Sequence, residues 1–121
     1  MWTYHQKTGE LVRNGEVEAF GYSGAGDGKN NPDAQHIHNV GPIPRGTWTV
    51  TSLTIGNTPH GPYVLHLQPE PGTETFGRAG FLMHGDNVAH PGTASQGCII
   101  MPRHVRETVW ESGDRALLVE S

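Results

Sequence analysis

The sequence has a single cysteine in 121 residues, Cys98, so no disulfide can form within the chain and its stability must come from packing. Positive charge is also scarce: 8 Lys and Arg stand against 12 Asp and Glu, a formal net charge of -4. Phosphate backbones are bound by clustered cations, so nucleic acid is excluded as a partner. No stretch approaches the ~20 apolar residues of a membrane-spanning helix, and the first residues carry no basic segment leading into an apolar run. Neither a membrane span nor a signal peptide is expected, so the chain is made in the cytoplasm and other machinery must carry it to any substrate outside. His-Glu-x-x-His and paired-cysteine motifs are absent too. Neither a metal nor a cofactor is expected.

Glycine (17) and proline (9) are abundant, which shortens regular elements and favours turns, as in an all-β domain. The length suits one domain, residues 1–121, burying roughly two thirds of its unfolded surface. Residues 2–6, 10–13 and 16–22 read as a three-strand meander, with Asn14-Gly15 as a type I′ turn and Val17 and Ala19 on a buried face. Residues 23–39 are polar and turn-rich and read as a long loop. Residues 46–55 alternate, Trp48 and Val50 against Thr47, Thr49 and Thr51, until Ser52 and Leu53 invert the pattern. Strands are expected at 62–67, 78–84 and 116–120. One helix, 102–112, has Val105 and Val109 at i,i+4 and Gly113 at its C-terminal end. The expected fold class is mainly β, a curved sheet or sandwich with one helix after the Cys98 strand.

Cys98 follows Gly97 and lies downstream of His84-Gly85. A thiol attacks carbonyl carbon as thiolate, so it needs an imidazole to take its proton and small neighbours that let substrate approach. His84, with Gly85 behind it, is the first candidate for the base, and His90, followed by Pro91-Gly92, is the second. The amides of Gln96, Gly97 and Cys98 are candidates for stabilising an oxyanion. Ser95 either holds that turn or touches substrate. Asp86 is a candidate for orienting the imidazole, and Asp86 with Asn87 is equally suited to shaping a turn. A lone cysteine before Ile99-Ile100 also fits a core strand.

Ser95-Gln96-Gly97-Cys98-Ile99, preceded by Phe81-Leu82-Met83-His84-Gly85, resembles the L,D-transpeptidase signature of His-Gly, a spacer and Ser/Thr-His-Gly-Cys-hydrophobic. The segment from Gly41 through Arg45 to Thr49 is similar to the Thr-Pro-x-Gly-x-Phe stretch of the same superfamily, and Tyr22 lies in a segment similar to its Ser-Thr-Gly strand end. With Asp27-Gly28-Lys29 and the closing residues 110–115, the chain most resembles the small L,D-transpeptidase-like effectors of type VI secretion systems. The resemblance implies a cysteine nucleophile at Cys98 and a base at His84, oriented by Asp86 or by a main-chain carbonyl. It also implies the tetrapeptide stems of peptidoglycan as substrate. Action in a target-cell periplasm, delivery by a secretion machinery and a cognate immunity protein follow from it. Gln96 replaces the signature histidine and alters the pocket wall, and Ile100 replaces an Arg or Asn that contacts the stem. Arg45 and Arg103 are candidates to replace that contact, and Tyr22 and Gln96 are further candidates for substrate binding.

Two other classes compete. A His-ligated metal hydrolase would draw on His36 and His38 together with His84, Asp86 and His90. A wall- or phage-associated binding module would use Trp2, Trp48 and Trp110, although aromatics in strands and helices more often pack in cores.

Overall fold

The computed structural model describes residues 1–121. Nine strands form one sheet: β1 (Trp2–His5), β2 (Glu10–Arg13), β3 (Glu16–Phe20), β4 (Tyr22–Ser23), β5 (Gly46–Thr54), β6 (Val64–Pro69), β7 (Leu82–His84), β8 (Ile99–Ile100) and β9 (Ala116–Glu120). Their order in space is β3-β2-β1-β9-β5-β6-β7-β8-β4. The two edge strands, β3 and β4, are joined by Gly21 alone. One residue cannot span a flat nine-strand sheet, whose neighbouring strands lie ~4.8 Å apart, so the sheet curls until its edges nearly meet. The fold is mainly β, as expected.

Glycine makes that seam possible. A Cβ on Gly21 would stand 2.0 Å from the Ile100 carbonyl oxygen, and one on Gly9 would stand 1.9 Å from the Gly21 oxygen. The Gly21 N–H donates to the Gly9 carbonyl at 2.8 Å.

Alternation fills the interior. Trp2 and Tyr4, Trp48 and Val50, Leu65 and Leu67, and Leu117 and Val119 point inward from their strands and join Ile43, Met83 and Ile99 in one cluster. Each such side chain contributes about 1.5–3 kcal/mol on burial. The only α-helix, α1 (Arg103–Glu111), closes the cluster with Val105 and Val109, and Gly113 follows it at a φ of 74°. Trp2 and Trp48 are core residues, and Trp110 is half-buried under Arg115, whose guanidinium lies 3.6 Å from the ring centroid.

Several boundaries differ from those expected. The strand expected at 16–22 breaks at Gly21, where the chain changes edges, and Val17, expected on a buried face, is exposed on the edge strand β3. Ala19 is half-buried. The inversion at Ser52 is a β-bulge: Val50 pairs with Leu67 but Ser52 pairs with His66. The strand expected at 62–67 runs Val64–Pro69, and the one expected at 78–84 is only Leu82–His84, because Gly80, at a φ of 77°, takes the chain out of the extended conformation just before it. The segment expected as a loop folds into two 3₁₀ turns, Gly26–Gly28 and Pro32–Ala34, with Gly28 and Ala34 buried.

Candidate active site

β7 and β8 run parallel with Met83 opposite Ile99 and His84 opposite Ile100. One residue back, that register sets Cys98 level with Leu82. Leu82 and His84 are two residues apart, so they share a face of the sheet, and Cys98 opens onto the same face. The crossover between the two strands, residues 85–98, returns the chain so that His84 and Cys98 come to the wall of the same cavity. That cavity has a volume of about 470 Å³.

The His84 Nδ1 lies 2.8 Å from the Gly85 carbonyl oxygen. A carbonyl only accepts, so Nδ1 carries the proton and the lone pair is on Nε2, which is buried without a hydrogen-bond partner. Burial is the main cause that lowers the His84 pKa, and the charges of His60 and Arg106 act the same way. Burial raises the Cys98 thiol, and the Leu82 amide and the Arg78 guanidinium only partly counter it. Both shifts favour the neutral pair, a thiol beside an unprotonated imidazole. The Sγ–H points to the Gly80 carbonyl at 3.9 Å, so transfer of its proton requires the thiol to turn from Gly80 toward Nε2.

Ser95 is spent inside the turn that presents Cys98. Its Oγ accepts from the Gly24 N–H at 2.9 Å and the Gly97 N–H at 3.1 Å and donates to the Cys98 carbonyl at 2.6 Å. The Gly97 amide is thereby committed, which leaves those of Gln96 and Cys98 as the candidate oxyanion donors. Gly97 has a φ of 140°, and a Cβ there would stand 2.4 Å from Arg78 Nη2. Glycine is needed here for backbone conformation and inward packing, besides any approach by substrate. Ser23 on β4 ties the far side: its Oγ donates to the Gly97 carbonyl at 3.0 Å and accepts from the Ile43 N–H at 2.9 Å.

Asp86 faces away from the imidazole. It accepts from the Tyr22 hydroxyl at 2.6 Å and from the Gly92 and Asn87 N–H groups, and Tyr22 Oη in turn accepts from the Ala94 N–H at 3.0 Å. Lys29 donates to the Gly92 carbonyl and lies 4.3 Å from the centroid of the Tyr22 ring. Burial and the Asp86 bond push the Tyr22 pKa up to about 12. The bonds to Tyr22, Gly92 and Asn87 bring Asp86 below the ordinary carboxylate value, although burial, its largest single influence, acts the other way. These groups clamp the 86–94 crossover.

Of the residues singled out in the sequence, Cys98, His84, Gly97 and Gln96 line the cavity. Ser95, Asp86 and Tyr22 support it from behind. His90 is exposed in the crossover, its N–H held by Asn87. Arg45 is exposed next to Gln35, and Arg103 lies over Tyr63 and pairs with Glu107 at 3.6 Å; neither belongs to the cavity wall. No three His, Cys, Asp or Glu side chains are grouped as metal ligands.

Two lining residues escaped sequence reasoning. His60 stacks on His84, and Arg78 lies buried under the Cys98 turn. His60 lies in a turn cluster and Arg78 at the head of an expected strand, and neither belongs to any motif. With His38 and His84 they make a wall that holds an arginine, three histidines and no carboxylate.

The family model of the Tlde1 domain matches residues 18–116, a span that includes His84, Cys98, the crossover and α1. The chain belongs to the Tlde1 domain family. That family comprises type VI secretion effectors of the L,D-transpeptidase kind. The Tlde1 match begins within β3 and ends at the first residue of β9, so β1 and β2, which supply Trp2, Tyr4 and Leu11 to the core, lie outside it. No curated protein matches the chain. No helix is long and apolar enough to cross a membrane.

Proposed function

We propose that this chain is a cysteine acyltransferase acting on the tetrapeptide stems of peptidoglycan, with Cys98 as nucleophile and His84 as general base. The observation that carries the reading is that the only thiol shares a cavity with an imidazole whose Nε2 has no other partner, in a chain of the Tlde1 family. The neutral pair suits general-base attack. As Sγ bonds to the carbonyl carbon of the third stem residue, meso-diaminopimelate, its proton passes to Nε2. The oxyanion forms against the Gln96 and Cys98 amides. Collapse breaks the bond to the terminal D-alanine, whose nitrogen takes the proton from His84, and leaves a thioester on Cys98. Water then yields a tripeptide, a free D-amino acid yields an exchanged tetrapeptide, and a neighbouring stem amine yields a 3–3 crosslink. In each case His84 takes the proton of the attacking group and the thiol is restored.

On this reading the chain is delivered into the periplasm of a target cell by a type VI secretion machinery, and the producer protects itself with an immunity protein that covers the Cys98 cleft. Incubation with disaccharide-tetrapeptide, read by mass, tests the chemistry: loss of alanine or its exchange is expected, abolished by Cys98→Ala and by thiol alkylation but not by a chelator. Unchanged tetrapeptide under all acceptors refutes it. Export to the periplasm of a susceptible cell tests the biology, with toxicity expected for the parent chain and none for Cys98→Ala.

A further inference from the structure

Arg78 is 7% exposed and forms no ion pair. Its guanidinium donates to four main-chain carbonyls instead: Nη1 to Gln35 at 2.6 Å and Pro42 at 2.8 Å, Nη2 to Gly41 at 2.8 Å and Gln96 at 3.2 Å. Three of these carbonyls belong to the segment between β4 and β5, and the fourth belongs to the turn that presents Cys98. Burying a cation without a counter-charge is costly, and neutral donors would serve if shape alone were needed. Negative charge does appear beside it once Cys98 reacts.

We propose, on the reading of Cys98 as nucleophile, that Arg78 is the positioning residue of the nucleophile turn. Its fork fixes the Gln96 carbonyl against the segment before β5, and its charge is set in place for the negative charge that forms on Sγ and then on the carbonyl oxygen. The fork is itself held rigid, since Arg78 lies 5.2 Å from the centroid of the Phe81 ring and Gly97 leaves no space between the turn and Nη2. A dipole fixed in advance needs no reorganisation during reaction. Among charged groups Arg78 alone acts on the thiol, lowering its pKa against burial; the other titratable groups around the cavity are His38, His60 and His84.

The test uses Arg78→Gln and Arg78→Lys, each checked by circular dichroism and thermal unfolding. Alkylation of Cys98 by iodoacetamide is followed against pH, and turnover of disaccharide-tetrapeptide is followed at neutral pH. Arg78→Gln removes the charge, so the rise in alkylation moves to higher pH and the rate at pH 7 drops about tenfold. Arg78→Lys keeps the charge but not the fork, so alkylation stays near that of the parent while kcat falls on the order of 100-fold with KM nearly unchanged. A folded Arg78→Gln protein with the parent's alkylation profile overturns the proposal, as does parental turnover in Arg78→Lys. Where Arg78→Gln does not fold, the lysine variant decides alone by the same criteria. A parent chain inert toward tetrapeptide, combined with the shifted alkylation of Arg78→Gln, removes the stem-peptide reading and leaves the role of Arg78 standing.

Discussion

The imidazole of His60 stacks on that of His84, with centroids 4.7 Å apart and planes at 35°. His60 is exposed in the turn of the β5–β6 loop and His84 is buried, so the outer ring helps to screen the inner one from water. Burial and then the His60 charge hold the His84 pKa down. Truncation by His60→Ala weakens both, so the His84 pKa rises. A base works only unprotonated, so the acid limb of kcat/KM moves to higher pH. An acid limb at the same pH in both proteins sinks this account. Linkage gives a second reading: the unfolded imidazole takes up its proton near pH ~6.5 and the folded one only at lower pH. Stability therefore declines as pH falls below that value toward the folded pKa, and His84→Gln removes that part of the slope.

Ser95→Ala leaves the Gly24 and Gly97 amides, both in buried residues, without their acceptor and frees the Cys98 carbonyl. The expected loss of stability is about 1–3 kcal/mol, read from denaturant unfolding. Activity drops more than alkylation does, because the thiol survives while its turn loosens. Full activity in Ser95→Ala would place the hydroxyl outside the working site altogether.

How much of this was legible in the sequence varies with the range of the interaction. The meander turn at Asn14-Gly15 was, since both residues have positive φ, 53° and 77°, and this is local chemistry. So was α1, whose valine spacing and closing glycine are local too. The bulge in β5 was visible as a break in alternation at Ser52. The closure at Gly21 was not: a glycine between two apolar positions carries no trace of the Ile100 carbonyl pressed against it. The His-Gly and Gly-Cys pairs point to His84 and Cys98, which line one cavity, yet Arg78 and His60 reach that cavity through tertiary contacts without periodicity. Asp86 was read both as an orienting group and as a turn former, and only the position of Tyr22, 64 residues earlier, shows where its carboxylate points.

Tyr22→Phe removes the hydroxyl that donates to Asp86 and accepts from the Ala94 N–H, and so releases two points of the crossover at once. Faster hydrogen exchange at Ala94 and faster proteolysis near Val88, which is 97% exposed, are the expected signs. The same clamp has a pH signature. Asp86 has a folded pKa below its ordinary 3.8, so its contribution is present above that value and is lost as pH falls through the folded pKa. Asp86→Asn abolishes that acid transition; if the crossover of Tyr22→Phe exchanges and cleaves at the parent's rate, the clamp is not what holds it.

The seam between the sheet's two edges makes the sharpest demand on a single atom. Gly21 is all that separates the last pair of β2 and β3, Glu10 with Phe20, from the first pair of β4 and β8, Tyr22 with Ile100. The methyl group of Gly21→Ala meets the Ile100 carbonyl oxygen at 2.0 Å and the Met101 side chain at 2.8 Å. The methionine can move, but the carbonyl belongs to β8, whose displacement carries Cys98 with it. The expected cost is about 3 kcal/mol or more, lowering Tm by roughly 10 °C. Gly56→Ala is the control, because nothing lies within 4 Å of its Cβ and its φ is not positive. Strand displacement also predicts slower turnover in Gly21→Ala below its unfolding range. Equal Tm values for the two variants would mean that the edges do not meet at Gly21, and that β8 is held in place by β7 alone.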